Sequence, residues 1–437
     1  MQGGKAPDAA WVERTLTDVI TSLGGTPGDA MKQLAGGIAA AMSGPNRCFH
    51  DLRHLEDVSN SAPSVEVLSI LFHDLVQTHV DGDIPRVYRS RLADAVIDGG
   101  SGLIWKKPDT HHAREHRLCG QLFDLDRDAN GANEAWSALL AFRLLDGHLP
   151  RSVQAHVACC IEATIPFRQP SNGDDGLAER LHQRLTAADE EFELGLGEQG
   201  CLEAVHASVG VANRDVANFS GGTISFLENT HRLLHESRFS QGQAREPRCG
   251  EQRRALDRME GFLSHLDAGL VFRSFRGVPS DAEMSSLQEA ARQNLELGSR
   301  CLRAEMLAAA ILEALTLRSG GDMAVEQVTG SNERDRLAGS LKAAGLPTHE
   351  VDEQFLEILE SPPPADRPEP GLIPVATWLL RVLGEEETER LLGRYRSTLE
   401  SLDCGLLDAL PDTIRQTLIE AATLVLPQRR EELLALS

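Results

Sequence analysis

The spacing of apolar side chains is what most restricts the fold of this chain. Over residues 8–23, Trp11, Leu16, Val19, Ile20 and Leu23 recur at a helical period, Asp8 stands where an N-cap belongs, and Gly24-Gly25 closes the run. The period returns over about 27–42, 52–58, 64–75, 86–97, 110–125, 133–145, 150–164, 177–194, 201–219 and 223–236. Aromatic residues make up only 4% of the chain, and Val, Ile and Tyr are sparse in runs while Leu, Ala and Glu abound. That composition favours helices over strands. The expectation is an all-α protein, a helical bundle followed by a second helical region.

The polar, aperiodic stretch 237–250 (SRFSQGQAREPRCG) is the best boundary, and it divides the chain into domains at 1–240 and 251–437. The second half again reads as helix, over about 253–270, 281–317, 333–344 and 375–436. It is interrupted at 361–374, where the prolines at 362–364, 368, 370 and 374 exclude a helix and require a Pro-rich loop.

The formal net charge is −23, from 43 Lys and Arg against 66 Asp and Glu. Such a surface repels phosphate backbones, so bulk nucleic acid is not an expected partner. A small anionic substrate is, provided a metal or local arginines reverse the sign inside one cleft. Eight cysteines, at 48, 119, 159, 160, 201, 249, 301 and 404, show no CxxC spacing and read as thiols in a reducing cytosol. The first residues contain no apolar signal segment, and the longest apolar windows, 306–317 and 372–380, are too short to span a bilayer. A cytoplasmic protein with no membrane partner is expected.

The chemistry concentrates in 48–83, which holds four of the fifteen histidines and places His73-Asp74 at the end of an apolar helical run. Buried ionisable groups are costly unless they are paired or bind a metal, so a metal site is the working hypothesis. His54 lies 19 residues earlier (73 − 54) on its own short helix. Neighbouring helix residues point about 100° apart, so His73 and Asp74 reach one ion only near a helix end. A fourth ligand has to come from elsewhere. His79, just beyond the pair, is a candidate proton shuttle.

Three stretches carry a resemblance: Phe49-His50-Asp51-Leu52-Arg53-His54-Leu55, Leu71-Phe72-His73-Asp74-Leu75-Val76 and Asn213-Arg214-Asp215-Val216-Ala217. Together they resemble the HD-domain metal-dependent phosphohydrolases, in particular a small bacterial branch, over about residues 11–236. The resemblance implies an HD-like helical domain and a divalent metal (Mn, Fe, Co, Zn or Mg) held by His54, His73, Asp74 and Asp215. It further implies hydrolysis of a small phosphate ester, such as a nucleotide or cyclic nucleotide, by metal-activated water. Asp146 and Asp189 are rivals for the fourth ligand. Arg53 and Arg214 are candidates to offset substrate charge. Relatives often carry a Lys after the pair and a His after an Ala-Thr pair. Here Val76-Gln77 follows the pair, and Ala163-Thr164 runs into Ile165-Pro166-Phe167-Arg168, which makes Arg168 the candidate anion contact.

Residues 109–116 (DTHHAREH) put His112 and His116 at i, i+4 on one helical face beside His111 and Glu115. They are candidate substrate contacts. The alternative enzyme is an HD-type di-iron oxygenase that also uses His111, His112 and His116; the alternative without chemistry is an HD domain that regulates by binding a ligand or partner. Residues 126–137 copy the start of a calcium loop, with Asp126, Asp128, Asn130, Gly131 and Glu134, but Ser137 stands where the bidentate Glu is needed. An Asx-rich turn is the simpler expectation there. The C-terminal half has three open roles: capping the cleft, forming a homodimer surface, or receiving a signal.

Overall fold

A computed structural model of the chain describes residues 6–100, 102–125, 131–169, 176–239, 247–330, 336–361, 372–397 and 405–436. The fold is all-α, with a single two-stranded antiparallel hairpin among the described residues. The chain divides into two compact units, Met1–Ser220 with Asp267–Ala291, and Gly221–Leu266 with Arg292–Ser437. Among the described residues no helix is long and apolar enough to cross a membrane. Cys119, Cys159, Cys160, Cys201, Cys249 and Cys301 are buried thiols outside any disulfide.

The first unit is built from α1 (Ala9–Ser22), α2 (Met31–Met42), α3 (Leu52–Ser59), α4 (Ser64–His73), α5 (Thr78–Asp81), α6 (Arg114–Phe123), α7 (Ala132–Leu145), α8 (Arg151–Ala163), α9 (Leu177–Phe192) and α10 (Gly197–Asp215). Asp8 caps α1 by accepting from the Ala10 and Trp11 N–H groups at 3.1 and 3.0 Å, and Val12, Leu16, Val19 and Ile20 form the buried face. The central helix is α4. Its Leu68, Ile70, Leu71 and Phe72 are 0% exposed, and it packs against α1, α3, α7, α8 and α10. Each such side chain contributes about 1.5–3 kcal/mol on burial, so the position of the end of α4 is fixed by the core around it.

The turn after α1 leaves no space for a side chain. Gly25 donates its N–H to the Ile20 carbonyl at 2.8 Å. A Cβ there would run into the His148 carbonyl and lie 2.7 Å from Leu149 Cδ2. Gly25→Ala should therefore cost about 1–3 kcal/mol in urea unfolding; a variant as stable as the wild type would contradict this tight packing.

Residues 86–97, expected as helix, take another form. Only Arg89–Arg91 make a 3-10 turn, and Val96–Asp98 (β1) pairs antiparallel with Leu103–Trp105 (β2). Two anchors override the helical periodicity. Gly100 and Gly102 adopt positive φ and reverse the chain, and Trp105 packs 6.4 Å from Trp136, whose Nε1 donates to the Ala95 carbonyl at 3.0 Å.

The second unit contains α11 (Thr223–Phe239), α12 (Cys249–His265), the part of α13 (Asp281–Arg318) after Arg292, and later helices at Arg336–Ala343, Leu372–Ser397 and Asp412–Val425. Gly384, at φ 74 and ψ 169, breaks the Leu372–Ser397 helix. Buried Glu260 accepts from Ser299 at 2.8 Å and from Arg303 at 3.0 Å, and also pairs with Arg396. Arg253 pairs with Glu313 and donates to the Tyr395 hydroxyl. Residues 126–130 of the calcium-like loop and 362–371 of the Pro-rich loop lie outside the described residues.

Candidate metal centre

Helix α4 delivers His73 as its last residue and Asp74 as its C-cap, at φ −105 and ψ 16. Leaving the helix there removes the angular divergence of neighbouring helical residues, and His73 Nε2 comes within 3.0 Å of Asp74 Oδ2. Helix α3 is started by Asp51, whose carboxylate accepts from the Arg53 and His54 N–H groups at 3.0 and 3.1 Å. It presents His54 Nε2 at 3.5 Å from the same Asp74 Oδ2. Asp215, the last residue of α10, puts Oδ1 3.1 Å from His54 Nε2 and 3.3 Å from His73 Nε2. The four side chains are nearly buried, with exposures of 7% for His54, 2% for His73, 7% for Asp74 and 18% for Asp215.

The other atoms of these groups are already committed. His73 Nδ1 lies 2.8 Å from the Ile70 carbonyl, a geometry that assigns it a proton and turns Nε2 toward the carboxylates. Asp74 Oδ1 accepts from Gln77 Nε2 at 2.8 Å. Gln77 Oε1 in turn accepts from Asn133 Nδ2 at 3.3 Å, and Asn133 Oδ1 takes the Thr78 N–H and hydroxyl at 3.2 and 2.9 Å. Asp74 Oδ2 is buried and meets no donor but the two imidazoles, His73 Nε2 at 3.0 Å and His54 Nε2 at 3.5 Å. A buried carboxylate oxygen so placed is costly unless a proton or a cation supplies positive charge there. A cation among Asp74 Oδ2, Asp215 Oδ1 and the two Nε2 atoms would satisfy it, so the donor set fits a divalent metal. Among the described residues, His54, His73 and Asp74 are the group spaced to share one ion, and Asp215 extends it.

No family model, curated protein or solved structure matches this chain. The centre has to be understood from its own chemistry.

Burial opposes charge on His73, but the carboxylates of Asp74 and Asp215 outweigh it and hold its pKa well above the ordinary 6.5. Burial likewise works against ionised Asp74 and Asp215, yet the facing histidines, His73 foremost, hold both below the ordinary 3.8. A proton on His73 thus supplies positive charge between the two carboxylates. A raised His73 stabilises the fold below pH 6.5, and this is lost as pH rises through the folded value. The lowered aspartates stabilise it above pH 3.8, and this is lost as pH falls toward their folded values. A metal needs His73 neutral, so loading at neutral pH should expel about one proton per ion, and affinity should rise with pH. Calorimetric titration in buffers of different ionisation heat measures that proton; a buffer-independent heat would contradict it.

Three further residues surround the cluster. Glu134, half-buried in the first turn of α7, has its carboxyl pushed up to about 7 by burial, with the Asp74 charge adding to the effect and Arg168 and His73 opposing it. Arg168 donates to buried Glu162 at 2.5 Å, and Arg184 donates to the same oxygen at 2.6 Å. Arg273, from the returning segment Asp267–Ala291, donates to the Ile165 carbonyl at 2.5 Å; burial lowers its pKa to about 10 while Glu162 and Asp215 attract its charge.

The remaining residues named from sequence lie elsewhere. Arg214 donates to Glu66 at 3.1 Å and to the carbonyls of Asn60 and Ser61 at 3.1 and 3.3 Å, tying α10 to the turn between α3 and α4. Arg53 is exposed on α3 and His79 is exposed on α5. His112 meets Asp109 at 2.8 Å, and buried His116 meets the Lys106 carbonyl at 2.9 Å, next to Trp105. His111 is exposed. Asp189 accepts from the Leu196 and Gly197 N–H groups at 2.9 and 2.7 Å, and Asp146 is exposed just past the end of α7.

Sequence reasoning missed Gln77, Glu134 and Arg273 as parts of this centre, and Arg47, which donates to the Asp74 carbonyl at 2.7 Å. Gln77 carried a usable signal, since it follows Asp74 by three residues, close enough to bond back to it. Glu134 surfaced only as the ninth position of a calcium-like pattern. Arg273 gave no local signal, because only the fold brings it to this unit.

Proposed function

We propose that the protein is a metal-dependent phosphohydrolase of the HD type acting on a small phosphate ester, such as a nucleotide or cyclic nucleotide. The observation that carries this reading is the convergence of His54 Nε2, His73 Nε2, Asp215 Oδ1 and buried Asp74 Oδ2. A divalent cation supplies Lewis acidity when bound and lowers the pKa of its water toward neutrality. The four side chains would hold it, and Gln77 keeps Asp74 turned inward. Arg168 and Arg273 offset phosphate charge beside two aspartates that otherwise repel an anion. Glu134 keeps its proton up to about pH 7 and exchanges it with the substrate oxygen.

Glu134→Gln should lower kcat by about 10²–10⁴-fold with metal content unchanged; undiminished turnover would remove Glu134 from that role. The reading as a whole is tested by assaying the full chain, loaded with Mn²⁺, on p-nitrophenyl phosphate, bis(p-nitrophenyl) phosphate, nucleotides and cyclic nucleotides. Turnover that stops on chelation and returns with metal is expected. A loaded centre that hydrolyses none of them would overturn it. The oxygen-activating alternative calls for His112 and His116 at the ion, but both are held by Asp109 and the Lys106 carbonyl, so no observation favours it.

A further inference from the structure

A cleft of about 340 Å³ opens in the first unit, lined by α6, the end of α7 and the start of α8. Its walls carry Arg91, Arg114, Arg143 and Arg151, in a chain whose formal charge is −23. Arg143 is committed, holding Asp94 with two contacts of 2.8 Å and Glu115 at 3.3 Å. The other three are not. Among the described residues, none of the Arg91, Arg114 and Arg151 side chains meets a carboxylate or donates a hydrogen bond. The one uncommitted carboxylate on the walls is Asp146.

Placement sharpens this excess of positive charge. Arg114 and Arg151 are the first residues of α6 and α8, helices of 10 and 13 residues, and neither helix has a side-chain N-cap. A cation at a helix N-terminus is repelled by the macrodipole, and the open N–H groups there favour an anion. Arginines in those positions, without partners of their own, are disfavoured unless an anion joins them. Leu118, Phe142 and Leu194 give the cleft an apolar side. Gln154, 4% exposed, spends Nε2 on the Leu145 and Leu149 carbonyls at 3.3 and 2.9 Å, which leaves Oε1 as an acceptor.

We propose that this cleft binds a nucleoside phosphate, with the phosphates against Arg91, Arg114 and Arg151 and the ring against Leu118, Phe142 and Leu194. Its volume falls within the roughly 300–1,000 Å³ of small-molecule sites. It is separate from the metal centre. Helix α7 starts beside Gln77, through Asn133, and reaches the cleft at Phe142 and Arg143. At 1.5 Å per residue that span is about 15 Å.

The test is equilibrium binding of ADP to the full chain in EDTA, which takes the metal centre out of play. ADP should bind the wild type saturably, and added Mn²⁺ should not be needed for it. Adenosine and inorganic phosphate alone should each bind at least about tenfold more weakly, and the double variant Arg114→Glu/Arg151→Glu should lose at least about tenfold in affinity. Arg91→Glu, at an exposed position, gives the same readout if the double variant fails to fold. Binding left intact by the arginine substitutions, or absent from the wild type, would overturn the proposal.

Discussion

Replacing His73 with alanine should empty the metal centre and abolish hydrolysis. The substitution removes Nε2, which lies 3.0 Å from Asp74 and 3.3 Å from Asp215, and the Nδ1 contact to the Ile70 carbonyl that fixes the ring. Metal content should fall from about one ion per chain to background, and kcat/KM by at least about 10³-fold, since both the ligand and its orienting bond go together. The variant also leaves two buried carboxylates short of a counter-charge, so a loss of about 3–5 kcal/mol in metal-free stability accompanies it. Asp74→Asn keeps the shape of the side chain and should lose metal with a smaller stability change. Elemental analysis and urea unfolding of both variants separate metal loss from unfolding. A folded His73→Ala protein that kept stoichiometric metal would contradict the ligand assignment.

Arg47→Ala should lower both stability and metal affinity, and through a residue that touches no proposed ligand atom. The Arg47 side chain is 0% exposed and pairs with Asp81 at 2.7 Å. It also donates to the Asp74 carbonyl at 2.7 Å and the Leu75 carbonyl at 3.3 Å, so it holds the backbone at the point where α4 ends. Truncating it strands the Asp81 carboxylate and leaves both carbonyls without that donor. Breaking such a pair costs about 3–5 kcal/mol, and loosening the Asp74 backbone should weaken metal binding by about 10–100-fold. Arg47→Lys keeps the charge but lacks the fork that spans carboxylate and carbonyls, so it should recover only part of each loss. Urea midpoints and metal titrations of the three proteins give both numbers. Wild-type values for Arg47→Ala would show that the α4 terminus is held by its core packing alone.

Helices were legible because their burial is periodic. Leu16, Val19 and Ile20 are buried along α1, as the spacing indicated, while Val12 joins them and Trp11 and Leu23 are only half-buried. The hairpin at Val96–Asp98 and Leu103–Trp105 was not, because what fixes it is a tryptophan 31 residues further on (136 − 105), and no local period reports that. The candidate site divides the same way. His54, His73, Asp74 and Asp215 stood out as ligand-type groups in apolar surroundings, and the fold brings these four together. Arg214 stood out for the same reason, but its three nitrogens go to Glu66 and two carbonyls. A polar residue in an apolar helix signals that a partner exists without saying which one. Glu134 and Arg273 acquire their character from burial that the tertiary fold creates, with Asp74 adding to it at Glu134 and Glu162 opposing it at Arg273.

The most direct measurement is an anomalous difference map from crystals of the full chain loaded with Mn²⁺ or Zn²⁺. The expected result is one strong peak bonded to His54 Nε2, His73 Nε2, Asp74 and Asp215, at about 2.0–2.2 Å from the donor atoms for zinc. A loaded crystal with its peak elsewhere, such as at His112 and Asp109, or with none at the four side chains, would contradict the metal centre.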